Sequence, residues 1–348
     1  MQLFTRPMWL TAITVALLAT ACGGGAVEKP AAAPTATAAA DPWAGVTGIV
    51  DAANHGWPRQ VTGISGMVTI KQQPKRILTV SLGHDEVTYG LVPASRVVAV
   101  GAFTKNPENS NVAALAAKLP EIGREPEPIL AQRPDVVIAS AFSRRELVDA
   151  LGNAGVAVVQ TQLRNDPEGR VQDILLMGYI FGEEERALAF AKEVRGRYEA
   201  LQAVVAKKPA AVRPRVMSTA KYTDKLYTAG DASTEGAIIE AAGGLNVAAE
   251  AGLKANPVID VEGIVKMRPD VIVITQPADS GEAYKQDLLK NAALANIPAI
   301  RDNRIYVVPQ RYYTTLSFWN LAGAEHLARI IWQQDFANKE ITPFSLPQ

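Results

Sequence analysis

Two stretches of the chain share one pattern of apolar and polar positions. Residues 129–140, ILAQRPDVVIAS, and residues 264–275, IVKMRPDVIVIT, each place Arg-Pro-Asp between an apolar helical turn and a largely β-branched run. Proline cannot continue a helix, because it lacks the N–H and clashes with the preceding turn. The run after it suits a strand that is covered on both faces. Helix-turn-strand units look alike in many α/β proteins, so the flanking segments decide whether larger units are repeated.

The flanks of both copies alternate between strand and helix patterns. Before the first copy, a small hairpin around Gly66 leads into a strand at residues 76–81. The next predicted elements are helix DEVTYGLV, strand RVVAVG, helix PILAQR, strand DVVIAS, helix RRELVDALGNAG and strand VAVVQT. The second half repeats the plan with strand RPRVMSTA, helices TEGAIIEAAGG and VEGIVKMR, strand DVIVIT, helix AYKQDLLKN and strand RIYVVPQ. The alternation predicts a mostly parallel sheet with helices on its faces in each half.

Between the halves, residues 167–181 and 182–208 lack strand alternation and carry apolar residues at helical spacing. In the second of these segments the apolar positions are Leu188, Ala191, Val194, Tyr198, Leu201 and Val205. A helix of this length, at about 1.5 Å per residue, spans a domain. The sequence therefore predicts an α/β protein of two similar lobes joined by a single long helix.

The domain boundaries follow from these patterns. We predict an N-terminal lobe at residues 46–165, connecting helices that include the inter-lobe helix at residues 166–208, and a C-terminal lobe at residues 209–348. A signal segment occupies residues 1–22. Residues 23–45 should form a flexible tether, because GGGAVEKPAAAPTATAAADP contains almost nothing large enough to bury.

The first residues have the layout of an export signal. Arg6 precedes an apolar run from Met8 to Ala21, which is short for a membrane span. The run ends at Cys22, the only cysteine, which three glycines follow. This resembles the lipobox of bacterial lipoproteins, in which the cysteine becomes the lipidated first residue, although Ala19 stands where that family prefers Leu. We expect a lipid anchor at the extracytoplasmic face of the cell membrane, with an ordinary cleaved signal as the alternative.

Composition and charge limit the classes of partner. With 348 residues and 48% hydrophobic composition, the chain is long enough for two domains with their own cores. Lys plus Arg and Asp plus Glu both number 35, so no net basic field attracts nucleic acid. A lone cysteine excludes an internal disulfide framework. We expect a monomer that does not bind nucleic acid.

Candidate ligand contacts lie just past the predicted strands. Ligands of such sheets bind beyond the carboxyl ends of the strands, which here border the crevice between the lobes. The residues at these positions are 82–85, 103–105, Phe142 with Arg144, and Gln162 with Arg164 in the first lobe, and Lys221, Tyr222, Gln276 and residues 310–313 in the second.

Five segments in chain order carry a resemblance to a known family. They are PKRILTVSLGHDE, LPEIGREPEPILAQRPDVVIAS, LYTAGDASTEGAIIEAAGGLNVAAE, VIDVEGIVKMRPDVIVIT and NRIYVVP. They resemble the substrate-binding proteins of bacterial ABC importers for iron-siderophores, haem and vitamin B12. The resemblance implies two Rossmann-like lobes of the class III periplasmic-binding-protein type with little hinge motion. It also implies an ABC permease and its ATPase as partners, and a small-molecule metal chelate as ligand.

The resemblance further implies one exposed glutamate on each lobe that docks onto arginines of the permease. By motif position these are Glu127 and Glu262, each two residues before the first Ile of the repeated stretch. A carboxylate in the first turn of a helix is also favoured by the helix dipole, by roughly 0.3–1 kcal/mol. The same offset in both copies favours a two-point docking surface over helix capping alone.

The ligand stays open among siderophore, haem and cobalamin. Aromatic side chains offer flat apolar faces, and arginines suit the anionic oxygens of a ferric chelate. His84 directly follows the first strand and can ligate haem iron or pair with Asp85, or it can be a structural hydrogen-bonding group. Neither IGREPEP nor KANPVID contains the Trp that the vitamin B12-binding protein has near each glutamate. The predicted ligand-binding residues are His84, Asp85, Phe103, Arg124, Tyr222, Arg311, Tyr312 and Tyr313.

The sequence contains no pattern for a resident metal or for catalysis. No repeated His spacing with carboxylates indicates a bare metal site, and we expect no cofactor. A catalytic site would need a nucleophile with its base, paired acids or a cysteine-ligated cluster, and none is visible. An ABC-importer binding protein is the main prediction. A surface-tethered sensor or scavenger and an exported two-lobed enzyme are the alternatives.

Overall fold

The computed structural model describes residues 41–336 and 340–347. Cys22, the predicted signal segment and most of the predicted tether lie outside these residues. The folded body begins before the predicted boundary at residue 46, because Trp43 is buried, with its ring centroid 6.3 Å from that of Tyr179. The predicted tether is therefore too long at its C-terminal end.

The described residues form α-helices and short strands in alternation. The strands are β1 Arg59–Gly63, β2 Gly66–Ile70, β3 Ile77–Thr79, β4 Val97–Gly101, β5 Glu121–Ile122, β6 Val136–Ser140, β7 Ala157–Thr161, β8 Arg215–Tyr222, β9 Lys225–Thr228, β10 Leu245–Asn246, β11 Val258–Ile259, β12 Val271–Ile274 and β13 Ile305–Val307. The helices are α1 Leu82–Leu91, α2 Ala102–Lys105, α3 Ala113–Ala116, α4 Pro126–Ala131, α5 Arg145–Asn153, α6 Pro167–Phe181, α7 Glu184–Val205, α8 Thr234–Ala241, α9 Val247–Glu250, α10 Val261–Met267, α11 Ala278–Lys290, α12 Pro298–Arg301, α13 Gln310–Tyr313, α14 Asn320–Ile331 and α15 Gln333–Phe336.

The first lobe is built on a parallel sheet of five strands in the order β5-β4-β3-β6-β7. Val136, Val137 and Ile138 of the interior strand β6 are fully buried, as expected for a strand with helices on both faces. β1 and β2 form the predicted antiparallel hairpin. Gly66 lies in its turn with a φ of 111°, a conformation that residues with side chains rarely adopt. The predicted parallel sheet and hairpin are confirmed.

The second lobe has a mixed sheet in the order β11-β9-β8-β12-β13. β8, β12 and β13 are parallel, as predicted. β9 turns back antiparallel to β8, and β11 runs antiparallel to β9. The short β10 pairs with β8 outside this order. The repeated halves therefore share their parallel strands, but the second lobe carries an additional antiparallel edge.

The predicted inter-lobe helix is confirmed as α7, which runs antiparallel to α6 after a turn at Gly182. Gly182 has a φ of 69° and ends α6 in the left-handed conformation that glycine adopts without strain. At the start of α7, Glu184 pairs with the buried Arg59 of the first lobe at 2.5 Å. At its other end, Gln202 Nε2 donates to the Ala241 carbonyl of the second lobe at 2.9 Å.

The C-terminal segment packs against the inter-lobe helix. Phe344 contacts Phe318 and Phe190, with ring centroids 4.8 Å and 6.1 Å apart. These rings belong to a core cluster that contains residues of both lobes and of α7. Among the helices that the structure describes, none combines the length and the apolar character needed to cross a bilayer.

Candidate functional site

A cleft runs between the two lobes at the carboxyl ends of their parallel strands. It consists of three adjoining cavities of about 360, 390 and 480 Å³. Phe142 borders all three, and Thr234, Asn256, Thr314 and Leu316 border two of them. Because both lobes contribute to the walls, the cleft is the kind of concave site in which parallel sheets bind ligands.

Three exposed aromatic side chains project into the cleft. Phe142 is 82% exposed and follows β6, in a turn where Ser140 N donates to Ser143 Oγ at 3.1 Å. Phe103 is 65% exposed and lies on the short α2 that follows β4. Tyr222 is 47% exposed at the end of β8 and packs on Tyr227, with centroids 6.0 Å apart. Large apolar surfaces that face one cleft from both lobes indicate a bulky ligand with flat apolar faces.

The floor of the cleft is neutral, and the lobes meet there through hydrogen bonds. Asn165 Oδ1 accepts from Thr234 Oγ1 at 3.3 Å, and Asn165 Nδ2 donates to the Ala232 carbonyl at 3.4 Å. Ser233 caps the start of α8, since its Oγ accepts from Gly236 N at 3.0 Å. Leu163 and Leu316 complete the floor. The floor of the cleft therefore combines apolar side chains with neutral hydrogen-bonding groups.

His84 borders the central cavity, but its ring is already used in structural contacts. It is buried, with Nδ1 2.6 Å from Ser81 Oγ and Nε2 2.8 Å from Thr161 Oγ1. Burial lowers the pKa of His84 to about 3, and the charge of Arg170 adds to this effect. The ring is therefore neutral, and both of its nitrogens have hydrogen-bonding partners. This arrangement matches the structural alternative that the sequence left open rather than iron ligation.

Asp85 lies beneath the cleft wall rather than in it. The carboxylate is fully buried, and it accepts from Thr79 Oγ1 and Thr104 Oγ1 at 2.6 Å each. Burial raises its pKa to about 7, against the opposing effect of these two hydrogen bonds. The carboxyl joins β3 to α2, so the structure gives Asp85 a positioning role and does not place it in ligand contact.

Arg311, Tyr312 and Tyr313 also lie away from the three cavities. Tyr312 stacks on Trp319 at 6.0 Å, and the Arg311 guanidinium lies 5.0 Å from the Tyr312 ring. Tyr313 is fully buried, with its hydroxyl 3.0 Å from His326 Nδ1. The reason is that α13 turns this segment into the second-lobe core. The cleft residues from this part of the chain are instead Thr314 and Leu316, which follow α13.

The charged side chains of the cleft are Arg124 and Arg144 on the first lobe and Glu235 on the second. Arg144 pairs with Glu125 at 3.3 Å, and both side chains are exposed. Burial raises the pKa of the Glu235 carboxyl, against a weak hydrogen bond from Asn256 Nδ2 at 3.5 Å. Of the eight predicted contacts, the cavities thus bring together Phe103, Arg124, Tyr222 and the edge of His84.

Several cleft residues were missed as ligand contacts by the sequence reasoning. Phe142 and Arg144 were noted at the end of a strand but were not included among the predicted ligand-binding residues. Glu235, Asn165 and Asn256 carry no local signal, because the helix start and the loops that hold them become adjacent only when the lobes pack.

Glu127 and Glu262, the predicted docking residues, are both exposed in the first turn of α4 and α10. In α10 the cap is supplied by another residue, since Asp260 Oδ1 accepts from Gly263 N at 2.8 Å. Helix capping therefore does not require Glu262. Their predicted exposure, one on each lobe, is confirmed, and their docking role stays a prediction.

Behind the cleft, the buried Glu86 fastens α1 to the segment that precedes α14. Its Oε1 accepts from the backbone N and the Nδ2 of Asn111 at 2.9 Å each. Its Oε2 accepts from the hydroxyls of Thr315 and Ser317 at 2.5 Å each. Burial raises the pKa of Glu86, and these hydrogen bonds oppose the rise. The lobes are therefore held together at the back by a buried polar network.

Within the described residues, no group of three or more His, Cys, Asp or Glu side chains is arranged to hold a metal ion. The cleft offers aromatic faces, neutral hydrogen-bonding groups, two arginines and the Glu235 carboxyl. This set suits the binding of a chelate that brings its own metal ligands.

The chain has relatives among known proteins. The profile of a family described as periplasmic binding protein matches residues 77–312. A cobalamin-binding protein of Halobacterium salinarum is 30% identical over 249 residues, which cover 68% of this chain and 66% of the relative's length. The substrate-binding lipoprotein YvrC of Bacillus subtilis, described as an uncharacterized ABC transporter protein, is 24% identical over 94% of this chain and 98% of its own.

The fold also matches solved structures. The molybdate-binding protein MolA of Haemophilus influenzae, solved with molybdate bound, superposes with a TM-score of 0.69 at 22% identity. The match covers 81% of this chain and 94% of that one. At this identity the likeness shows a shared fold, which is the predicted two-lobed α/β architecture.

Proposed function

Because the chain belongs to the periplasmic binding protein family, we propose that it is the substrate-binding component of an ABC importer. Its inter-lobe cleft captures a bulky metal chelate and presents it to a permease. The observation that carries this proposal is the set of exposed aromatic side chains, Phe103, Phe142 and Tyr222, that face one cleft from both lobes. Ligand sites of this kind combine apolar walls with a few oriented polar groups.

Corrinoids and ferric siderophores are the proposed ligand classes. The Halobacterium salinarum relative is named as cobalamin-binding, and a second relative, FepB of Escherichia coli, is named as ferric enterobactin-binding. In both classes the chelator supplies ligands to the metal, which fits a cleft where His84 is buried with both ring nitrogens engaged. The apolar walls favour such a chelate over a bare oxyanion.

We also propose that the protein acts outside the cytoplasm, attached to the cell membrane through lipid on Cys22. The apolar run before this lone cysteine supports the anchor, and the relative YvrC is described as a lipoprotein. Cys22→Ser should release the exported protein in soluble form. A native N-terminus beyond Cys22, found by mass spectrometry, would refute the anchor.

A titration of the purified protein with cyanocobalamin, ferric enterobactin and haemin tests the ligand proposal. Phe142→Ala should weaken binding of the best ligand by roughly 1–3 kcal/mol, because the exposed ring loses its stacking contact. Val212→Ala is the matched control, since Val212 is 58% exposed but lies outside the cleft. If the unmodified protein, Phe142→Ala and Val212→Ala bind the ligand with equal affinity, the ligand does not contact Phe142 and the site lies elsewhere.

The ligand recovered after the same titration shows whether the protein only binds the chelate or also converts it. We propose that the chelate leaves the cleft unchanged. The hydroxyls of Ser81 and Thr161 contact His84 at the cleft wall, but both partners of this ring are hydroxyls rather than a carboxylate. Burial lowers the pKa of His84 to about 3, so the ring is a weak base for activating either hydroxyl. Mass spectrometry of the ligand after incubation should recover it intact. Conversion of the chelate would support the alternative of an exported enzyme.

A further inference from the structure

The charged residues of the cleft are unevenly divided between the lobes. The cavity of about 390 Å³ on the first-lobe side carries Arg124 and Arg144, and no Asp or Glu is among its lining residues in the described part of the chain. Among the described residues that line the cavity of about 480 Å³ on the second-lobe side, there is no Arg or Lys and one carboxyl, that of Glu235. The cleft therefore has a cationic end in the first lobe.

Both guanidinium groups of that end are available to a ligand. Arg124 is exposed, and no hydrogen bond or ion pair to its side chain occurs within residues 41–336 or 340–347. Arg144 has a pair with Glu125 at 3.3 Å, with both side chains more than half exposed. Exposed pairs of this geometry contribute little to stability and can be replaced by a better acceptor.

Two aromatic rings border the same cavity. Phe103 and Phe142 are the most exposed aromatic side chains of the described chain, at 65% and 82%. Single exposed apolar residues are ordinary on protein surfaces, but two rings beside two arginines in one cavity form a combined apolar and cationic surface. A flat conjugated group matches the rings, and carboxylate or phenolate oxygens at its edge match the planar forks of the arginines.

We propose that this first-lobe cavity is a subsite for the acidic edge of the ligand. A flat conjugated group lies against Phe103 and Phe142, and its carboxylate or phenolate oxygens are bound by Arg124 and Arg144. The subsite rests on the proposed function and narrows it to chelates with anionic oxygens at their periphery. It also fixes their orientation, with the acidic edge in the first lobe and the neutral part near Glu235.

Two corrinoids that differ in peripheral charge test the subsite. Dicyanocobinamide and dicyanocobyrinic acid share the corrin ring and the cyanide ligands, but peripheral amides of the first are carboxylates in the second. Calorimetric titration of the full-length protein should give tighter binding of the acid, and this preference should fall as ionic strength rises. The double variant Arg124→Gln, Arg144→Gln should reduce the affinity ratio of the two probes about ten-fold or more, because charge-assisted hydrogen bonds are lost.

Arg145→Gln is the matched control for this double variant. Arg145 is the neighbour of Arg144 in the chain, but its side chain is 88% exposed, pairs with Asp149 and does not border the cavity. It should retain the full preference for the acid. An unchanged affinity ratio in the double variant, with the acid still bound, would overturn the subsite alone. If neither corrinoid, ferric enterobactin nor haemin binds the unmodified protein, the proposed function falls, and the subsite falls with it.

Discussion

Two buried ionisable side chains, His84 in the cleft wall and Asp85 beneath it, change the stability of the fold with pH in opposite directions. Burial raises the pKa of Asp85 to about 7 and lowers that of His84 to about 3. The native state holds the Asp85 proton after the unfolded chain has lost it, so Asp85 lowers the free energy of unfolding as pH rises from about 4 to 7. His84 raises the free energy of unfolding as pH rises from about 3 to 6.5. In this range the unfolded imidazole is protonated and the native one is not, so a rise in pH removes protons from the unfolded chain.

Replacement of Asp85 by Asn should expose this effect. The quantity to follow is the free energy of unfolding of the wild type minus that of Asp85→Asn. Between about pH 5 and pH 8 this difference should fall by roughly 2–3 kcal/mol. Each pH unit below about 7 contributes roughly 1.4 kcal/mol, because the native carboxyl there keeps a proton that the unfolded one has lost. Urea unfolding at both pH values measures it. Asp279→Asn, the same substitution at an exposed position, is measured beside it as the control. A constant difference for Asp85→Asn would show that this carboxyl keeps its proton affinity on unfolding.

The sequence placed His84 and Asp85 at the right position but could not assign their roles. Their location after the first strand predicted that they lie near the crevice, and His84 does border it. One hydrogen-bond partner of each comes from a distant element, Thr161 of β7 for His84 and Thr104 of α2 for Asp85, so these bonds depend on tertiary packing. Phe142, by contrast, could have been selected from the strand-end rule alone, because a large apolar residue there has no core position to fill.

The packing of α6 against α7 allows a second prediction. Gly178 of α6 lies so close to α7 that a methyl group at this position would overlap the Cβ of the buried Ala187. Gly178→Ala should therefore lower the free energy of unfolding by roughly 1–3 kcal/mol, as overpacked cores do. Gly196 of α7 is exposed and has open space around it. Gly196→Ala should instead raise stability by roughly 0.5–1 kcal/mol, through helix propensity.

Thermal or urea unfolding of the two single variants decides this prediction. The same substitution in two antiparallel helices should give opposite signs, because only one of the glycines lies in the helix contact. A stabilised Gly178→Ala would mean that α6 and α7 can separate slightly without cost, and that the inter-lobe helix is less tightly held than its packing indicates.

Helices and parallel strands were predicted better than the antiparallel edge of the second lobe. α6 and α7 follow from apolar spacing that is continuous over many residues. β9 was missed, because it follows β8 after the two-residue turn Thr223-Asp224, which lacks the Asn-Gly or Gly signals typical of such hairpins. Thr223 adopts a φ of 56°, which its sequence alone does not favour. That hairpin is what positions Tyr222 at the cleft.

The two-lobed frame itself was readable from the repeated Arg-Pro-Asp stretch, because each copy ends one helix and starts one buried strand. Pro134 precedes β6 and Pro269 precedes β12, and each is an interior strand that pairs with the middle strand of its sheet, β3 or β8. The depth of the cleft and its charge distribution could not be predicted from the sequence. They depend on how the lobes are held by α7 and by the Glu86 network, in which Glu86 bonds to Thr315 and Ser317, more than 200 residues away in the chain.

The repeated stretch also leads to a prediction about transport. Glu127 and Glu262 are exposed, one on each lobe, and neither borders the cleft cavities. If they form a two-point docking surface for a permease, reversal of both to Arg should abolish uptake, because like charges across an interface cost several kcal/mol. Ligand affinity should hardly change, because neither residue borders the cleft. The fold should also be retained, since exposed substitutions alter the free energy of unfolding by only about 0.5 kcal/mol.

Uptake by vesicles that contain the permease, compared with calorimetric binding by the purified variant, separates the two effects. Glu108→Arg with Glu282→Arg is the matched control, because these exposed glutamates also lie one on each lobe, outside the repeated stretch. The control should transport normally. A single reversal of Glu127 or Glu262 should give an intermediate rate, because the other lobe still docks. Normal uptake by the double variant would show that the two glutamates do not dock onto the permease. Their remaining role would be the interaction with the helix dipole, and the permease would have to recognise another surface of the lobes.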